Sequence, residues 1–152
     1  MADWGLRFKE LAQHISGWSK DKSTKVGAVI VDDDRNPLAI GYNGFPRKCR
    51  DDVEERYERP LKYKWTEHAE RNAVYNAARH GVSLEGCSMY IATLSDGFSL
   101  PCADCARAII QSGIQTVFLQ SLELPERWKE SGQVALDMLK ESGVNIIDVG
   151  QK

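Results

Sequence analysis

The sequence predicts an α/β fold in which a parallel sheet with connecting helices is built onto an opening hairpin. Three observations predict it: an amphipathic helix pattern near the start, a run of β-branched residues followed by a polar turn, and an alternation of strand-like and helix-like segments from residue 89 onward. The chain has 152 residues, 42% of them hydrophobic, which is enough for one core. We therefore expect a single domain over residues 1–152.

The first helix is predicted over residues 4–19. Its apolar residues recur at steps of three and four and form one stripe: Trp4, Phe8, Leu11, Ile15 and Trp18. The segments 26–31 and 38–42 then read as two strands of a hairpin, joined by a polar turn. Because the first of these strands is apolar almost throughout, we expect it to be buried on both faces.

The stretch from Asn43 to Trp65 is rich in charged residues and contains Pro46 and Pro60, so a long solvated loop is predicted there. The remaining elements alternate in type. They are a helix over 66–80, a strand over 89–94, a helix over 102–111, a strand over 116–119, a helix over 127–141 and a strand over 144–149. This alternation favours parallel strands with crossover helices.

Composition restricts the possible functions. The formal net charge is -2, so no overall basic field attracts the chain to a nucleic-acid polymer, and we expect none as a partner. Two of the four cysteines form a Cys-x-x-Cys pair, which indicates metal ligation in a reducing, cytoplasmic setting better than a disulfide framework. The sequence has neither a secretory leader nor an apolar run of membrane-spanning length, so no association with a membrane is expected.

The chemistry lies in a split motif, formed by His68 and Glu70 with Pro101, Cys102 and Cys105. One imidazole and two thiolates leave the fourth position of a zinc ion open, as catalytic rather than structural zinc sites do. We expect each half of the motif in the first turn of a helix, where residues three apart share a face and the helix dipole favours thiolates. This order of residues is typical of zinc-dependent nucleobase deaminases.

Such a site predicts hydrolysis. Zinc lowers the pKa of a bound water from about 15.7 to about 7, which provides a nucleophile at neutral pH. Glu70 lies two residues from His68 and could move a proton from that water to the base and then to the departing amine. A lone Cys-x-x-Cys also occurs in structural zinc knuckles, but its combination with the His-x-Glu half favours a catalytic site.

Four segments of the chain, in order, carry a resemblance to a known family. They are Ser19–Asp21 with Lys25–Val31, Gly41–Pro46, Glu67–Ala73 and Pro101–Ala106. Together they resemble the deoxycytidylate (dCMP) deaminase family of the cytidine deaminase superfamily. The last two segments indicate the superfamily, and the Gly-Tyr-Asn-Gly-x-Pro segment points to its nucleotide branch.

The resemblance implies a three-layer αβα cytidine deaminase-like fold with a five-stranded mixed sheet. It also implies zinc on His68, Cys102 and Cys105, with Glu70 as the proton shuttle. Family members are commonly homo-oligomers, hexamers or dimers, and many are regulated by dCTP and dTTP with Mg²⁺. The resemblance therefore implies these effectors, and Mg²⁺ with an effector nucleotide, as further partners.

Substrate-binding residues follow from the same resemblance. It implies that Asn43 bonds the substrate sugar and that Val26 walls the base pocket, and we include Ala69, which lies between the ligand and the shuttle. Trp128 falls near a position where relatives carry a pocket tyrosine, so it either stacks at the site or anchors the last helix. The lysines that precede the first strand are candidates for a phosphate, or else form a solvated turn: Lys20, Lys22 and Lys25.

Two departures from the family concern regulation and specificity. Lys48 stands where relatives usually have a glycine in a loop linked to effector binding, and residues 95–100 lengthen the segment before the cysteine pair. The leading hypothesis is deamination of dCMP to dUMP. The alternatives are deamination of another amino-bearing base or nucleotide, such as dCTP, a modified cytosine or an adenine nucleotide, deamination of a base in RNA or single-stranded DNA, and a non-catalytic zinc-stabilised module.

Overall fold

A five-stranded mixed sheet forms the centre of the molecule in the computed structural model, which describes residues 2–94 and 99–149. The strands are β1 (Val26–Val31), β2 (Pro37–Tyr42), β3 (Ser88–Thr93), β4 (Thr116–Leu119) and β5 (Asn145–Asp148). Their order is β2-β1-β3-β4-β5; β1 is antiparallel to β2 and β3, whereas β3, β4 and β5 are parallel. The predicted hairpin and parallel units are both confirmed.

Five α-helices accompany the sheet in the described residues: α1 (Trp4–Ser16), α2 (Lys62–Trp65), α3 (Ala69–Arg79), α4 (Ala103–Gln111) and α5 (Lys129–Glu141). On one face, α1 packs against alternate residues of β1 and β3, such as Val29 and Tyr90. On the other face, α3, α4 and α5 enclose Ile30, Met89 and Val117. The molecule therefore has the expected three layers, and β1 is covered on both faces.

The end of α1 differs from its prediction. The helix stops at Ser16 and Gly17 caps it, so Trp18 lies beyond the last turn and is 50% exposed. The apolar stripe holds over Phe8 and Ile15, which are buried. Periodicity extended the helix too far because a single aromatic residue can match the helical spacing without belonging to the helix.

Two glycines allow helices to approach the sheet closely. A Cβ atom on Gly27 would lie 2.0 Å from the Ala12 carbonyl oxygen of α1, and one on Gly41 would lie 2.4 Å from the carbonyl oxygen of Ala69 in α3. The face of α3 that meets the sheet is made of alanines, and Ala73 is fully buried. Gly41 thus allows the short distance between β2 and the start of α3, the helix that carries Glu70.

The segment between β2 and α3 is largely exposed, as its charges predicted, but it is more ordered than a loop. It contains a 3-10 turn (Glu54–Tyr57) and α2, and the Lys62 side chain is buried. Its two ends meet: the Gly44 amide donates to the Glu67 carbonyl at 3.1 Å, and the Glu67 amide donates to the Gly44 carbonyl at 2.8 Å. We call residues 45–66 the excursion. No helix in the described part of the chain is long and apolar enough to cross a membrane.

Candidate metal centre and pocket

Three potential metal ligands converge at the starts of two neighbouring helices. His68 immediately precedes α3, Cys102 immediately precedes α4, and Cys105 lies in the first turn of α4. The His68 Nδ1 atom is 3.4 Å from the Cys102 Sγ and 3.3 Å from the Cys105 Sγ. Zn–S bonds of about 2.3 Å and Zn–N bonds of about 2.0 Å at tetrahedral angles require an N to S separation of about 3.5 Å. The spacing therefore fits a zinc ion.

Ion pairs hold the two helix starts together. Arg71, in the first turn of α3, lies 2.6 Å from the Glu67 carboxylate and 3.6 Å from that of Asp104 at the start of α4. Asn72 adds a 2.8 Å hydrogen bond to the Tyr42 carbonyl at the end of β2. The positions of His68 and of the two cysteines are thus fixed by contacts outside the cluster.

The charges of the cluster also fit a divalent cation. A hydrogen bond from the Cys105 thiol, with a second contact from His68, lowers the pKa of Cys102 to about 4. The same contact with Cys102, together with burial, raises the pKa of Cys105, since two adjacent thiolates repel each other. The hydrogen bond with Cys102 raises the pKa of His68. A cation bound between the two sulfurs would favour the ionisation of both, and one imidazole with two thiolates suits zinc.

Glu70 lies beside the cluster without joining it. The side chain is in the first turn of α3, is only 5% exposed, and lines the same cavity as His68 and Cys102. Burial raises the pKa of this carboxyl, and the neighbouring His68 opposes the rise. A carboxyl with a raised pKa next to a reacting centre is suited to accept and return a proton near neutral pH.

The cavity above the cluster has a volume of about 310 Å³, the size of a small-molecule site. Four of the predicted substrate residues lie in its wall: Val26, Asn43, Ala69 and Trp128. Lys25 is not part of the described lining, and its ammonium group donates to the Ser19 carbonyl instead. Lys20 pairs with Asp51 and Lys22 with Glu54 on the surface, so the structure does not bring these three lysines to the cavity.

The Asn43 side chain forms two hydrogen bonds with the backbone of the cavity wall. Its Oδ1 accepts from the Val26 amide at 2.8 Å, and its Nδ2 donates to the Thr24 carbonyl at 2.8 Å. An amide nitrogen carries two hydrogens, so one N–H remains for a ligand. Trp128 lies in the 3-10 turn Glu126–Trp128 before α5 and is 38% exposed, which places it in the cavity wall rather than in the core.

The two departures from the family pattern have different outcomes. Lys48 adopts a left-handed backbone with φ of 71°, which explains why a glycine is favourable at that position. Of the loop over residues 95–100, Ser99 and Leu100 line the cavity. Residues 95–98 are outside the described part of the chain.

Several cavity residues were missed from the sequence. Arg59, Lys62 and Tyr63 come from the excursion, and Arg127 comes from the turn before α5. Lys62 is 7% exposed and is paired with Asp21. The sequence signal was weak, because α2 is too short for a periodic pattern and a cluster of charges is usually solvated. The only hint was the position of Asp21 within the Ser19–Asp21 segment of the family pattern.

Comparison with known proteins supports the assignment of the fold and the cluster. Residues 2–121 match the model of the cytidine and deoxycytidylate deaminase zinc-binding region. The chain is 38% identical over 148 residues to an uncharacterized deaminase in the luxG 3′ region of Aliivibrio fischeri, with 96% of this chain and 93% of that protein covered. It is 39% identical over 124 residues to the deoxycytidylate deaminase of Homo sapiens, which covers 78% of this chain and 65% of the human protein.

A solved structure gives the same result. The dCMP deaminase of cyanophage S-TIM5, in complex with dCMP and dUMP, superposes with a TM-score of 0.73 and 26% identity over 95% of each chain. The fold and the His/Cys/Cys cluster thus define a protein of the cytidine deaminase-like class. The chain belongs to the cytidine and deoxycytidylate deaminase zinc-binding family. The predicted family and fold are confirmed.

Proposed function

We propose that this protein catalyses the hydrolytic deamination of dCMP to dUMP with release of ammonia. One observation carries the proposal: a single cavity contains the buried carboxyl of Glu70 beside His68 and Cys102, and the guanidinium-bearing residues Arg59 and Arg127 line it as well. Glu70 and the two neighbouring residues suit the hydrolysis of an amidine-like base, and the two arginines suit the binding of a phosphate. The relatives named above as dCMP deaminases support the choice of substrate.

His68, Cys102 and Cys105 would hold a zinc ion, because their donor atoms match its preferred ligands and spacing. When bound there, zinc supplies the Lewis acidity that activates water at neutral pH. Three protein ligands would leave the fourth position of a tetrahedral zinc ion for water, and two of these ligands, His68 and Cys102, line the cavity. The cluster therefore suits a catalytic ion rather than a structural one.

Glu70 performs the proton transfers. Its carboxylate accepts one proton of the attacking water and delivers it to the ring nitrogen beside the amino-bearing carbon. It then takes the remaining proton of the added hydroxyl and passes it to the departing amine, which leaves as ammonia. Because the carboxyl is buried and its pKa is raised, it holds the proton between these steps instead of losing it to solvent. The same side chain thus serves as base and as acid.

The cavity wall supports a nucleotide over a free base. Arg59 and Arg127 each offer the forked donors that pair with phosphate oxygens. We expect the second N–H of the Asn43 amide to donate to a sugar hydroxyl, and Val26 and Trp128 to provide apolar surface for the pyrimidine ring. The described lysines before β1 have no part in this arrangement.

Ammonia release from purified zinc-loaded protein tests the proposal. The substrates compared are dCMP, dCTP, deoxycytidine, cytidine, dAMP and guanine at equal concentration. We expect kcat/KM to be highest for dCMP. Turnover of another substrate with none for dCMP would overturn the proposal.

Other expectations stay predictions. They are one domain over residues 1–152, a cytoplasmic location, a homo-oligomer, and control by dCTP and dTTP with Mg²⁺. Sedimentation equilibrium with and without dCTP and Mg²⁺ measures the subunit number and its response to an effector. A change of dCMP turnover on addition of either nucleotide would support regulation.

A further inference from the structure

The buried ion pair between Lys62 and Asp21 lies in the cavity wall, and its charged atoms bind other residues of that wall. The Lys62 Nζ is 3.0 Å from Asp21 Oδ1, 2.9 Å from Asp21 Oδ2 and 2.8 Å from the Ser23 hydroxyl. Asp21 Oδ1 also accepts from the Ser23 and Thr24 amides at 2.9 and 3.1 Å. An ammonium group has three protons, and three oxygen atoms of Asp21 and Ser23 lie within 3.0 Å of it. The pair therefore serves the structure of the wall.

Lys62 belongs to the excursion, and Asp21 belongs to the turn before β1. Arg59 and Tyr63 lie on either side of Lys62 in the sequence and line the cavity, with the Arg59 guanidinium 5.9 Å from the Tyr63 ring centroid. On the other side of the pair, Thr24 accepts the hydrogen bond from Asn43. The ion pair thus joins the phosphate-facing part of the wall to its sugar-facing part.

The catalytic centre is anchored independently of this pair. The excursion leaves the fold at Gly44 and returns at Glu67, and these two residues are hydrogen-bonded to each other. Beyond that closure, α3 is held by its contact with Gly41 and by the bond from Asn72 to β2. Displacement of the 59–66 segment can therefore occur without movement of His68 or Glu70.

The other described ionic contacts between the excursion and the turn before β1 are exposed. Lys20 lies 2.7 Å from Asp51, with side chains 67% and 46% exposed, and Lys22 lies 3.6 Å from Glu54, with side chains 90% and 67% exposed. Exposed pairs hold a chain weakly because water screens them, whereas loss of one partner from a buried pair leaves an uncompensated charge. The Lys62–Asp21 pair is the strong tie between the two segments.

We propose that Lys62, through its ion pair with Asp21, is a positioning residue that holds the 59–66 segment against the cavity, so that Arg59 receives the substrate phosphate. This inference rests on the proposed function. It assigns the preference for a nucleotide over a nucleoside to a contact outside the catalytic centre. Loss of the pair weakens phosphate binding and leaves the chemical step intact.

The test compares Lys62→Met with Lys20→Met, the same substitution in an exposed pair between the same two segments. We expect KM for dCMP to rise about tenfold in K62M, the equivalent of one lost charge-assisted hydrogen bond, with kcat within about twofold of the wild type. KM for deoxycytidine should be unchanged in K62M, and all constants should be unchanged in K20M. Lys62→Arg should restore most of the affinity for dCMP.

A second variant and a second measurement separate the positioning role of Lys62 from a general loss of stability. The double variant Asp21→Asn/Lys62→Met lacks the unpaired carboxylate that could destabilise K62M. It should show the same rise in KM for dCMP as K62M. Hydrogen exchange should increase in residues 59–66 and not in α3, whether or not dCMP is the substrate. Unchanged exchange and unchanged KM in both variants, or a loss of kcat alone, would overturn the inference. A wild-type protein without dCMP turnover but with increased exchange in K62M would overturn the proposed function only.

Discussion

Glu70 combines burial with a position beside the metal ligands, and this combination makes its replacement informative. In Glu70→Gln the side chain keeps its size but loses the ability to carry a proton. We expect turnover of dCMP to fall by about 10²–10⁴-fold, the usual contribution of general acid–base catalysis. The zinc content should remain at the wild-type level, because Glu70 is not part of the described ligand cluster.

Steady-state kinetics and metal analysis on the same preparation check this result. Glu10→Gln, at an exposed position in α1, serves as the control for removal of a carboxylate and should retain full activity. An E70Q protein that binds zinc and turns over dCMP at the wild-type rate would exclude Glu70 as the proton shuttle. It would favour the reading of the site as a non-catalytic zinc module.

Asp21 gives a prediction for the dependence of stability on pH. Burial opposes the ionisation of Asp21, yet the hydrogen bonds from Lys62, Ser23 and Thr24 lower its pKa below the ordinary value. A carboxyl with a lowered pKa in the folded state adds stability above its unfolded pKa, and this stability is lost as the pH falls through the folded value. The difference in melting temperature between the wild type and Asp21→Asn should be constant from pH 7 to about pH 5 and should narrow below about pH 4.

Thermal unfolding at several pH values measures this difference. The difference between the melting temperatures of the two proteins is the informative quantity, because protonation of His68 and of the cysteines changes both melting temperatures alike. A difference that stays constant down to about pH 3, well below the ordinary aspartate pKa, would contradict a stabilising role for the ionised carboxylate of Asp21.

At the scale of single residues, the sequence predicted the His/Cys/Cys cluster, Glu70 and four residues of the cavity wall, but not the residues that the excursion brings to that wall. The cluster could be found because metal ligation requires fixed residue types at fixed spacing, and Glu70 could be found because it belongs to the His-x-Glu half of the same motif. The burial of Lys62 could not, because it depends on a partner 41 residues away in the sequence. The same holds for Lys25, whose charge suggested a phosphate ligand, whereas its ammonium bonds the Ser19 carbonyl.

At the scale of elements, the contact between α3 and β2 determines where the metal ligands lie. A Cβ on Gly41 would come within 2.4 Å of the Ala69 carbonyl oxygen and of the Ala73 amide nitrogen, both of which are backbone atoms that cannot rotate away. Gly41→Ala should therefore displace the start of α3 and reduce stability by about 1–3 kcal/mol, as overpacking does. It should also lower the affinity for zinc, since His68 immediately precedes α3.

Gly44→Ala is the matched control, because an added Cβ there meets nothing within 4 Å. Chemical denaturation gives the free energy of unfolding of each variant, and competition with a chelator gives the zinc affinity. Equal stability and equal zinc affinity of G41A and G44A would contradict the positioning role assigned to Gly41.

Helices and strands were predictable where the apolar pattern extends over many residues, and less predictable where it covers only a few. All five strands and the helices α1, α3, α4 and α5 correspond to predicted segments, with ends shifted by a few residues. The shifts at α3 and α4 have a chemical consequence: His68 and Cys102 precede their helices with extended backbone instead of lying in the first turn. The exposure of the excursion was predictable from its charges, but its two helical turns and the burial of Lys62 were not, because they depend on the Gly44–Glu67 closure and the Lys62–Asp21 pair, which involve distant residues.

At the scale of the whole molecule, the proposed zinc ligands come from two segments of the chain with β3 between them. His68 lies before α3 and the cysteines lie at the start of α4, and both helices pack on the same face of the sheet. An ion bound to all three ligands therefore links the hairpin half of the fold to its parallel half. Its binding free energy adds to the stability of the folded state, since the unfolded chain does not hold the ligands together.

Removal of zinc should consequently lower the melting temperature. A ligand present at about a thousand times its Kd adds about 4 kcal/mol, which corresponds to about 10 °C in a domain of this size. Cys105→Ser should melt at a temperature near that of the metal-free wild type, and a chelator should not lower it further, because the ligand set is already incomplete. If the wild type lost its zinc to the chelator and kept its melting temperature, the ion would contribute to the chemistry alone, and the starts of α3 and α4 would be held by Arg71 and its carboxylate partners.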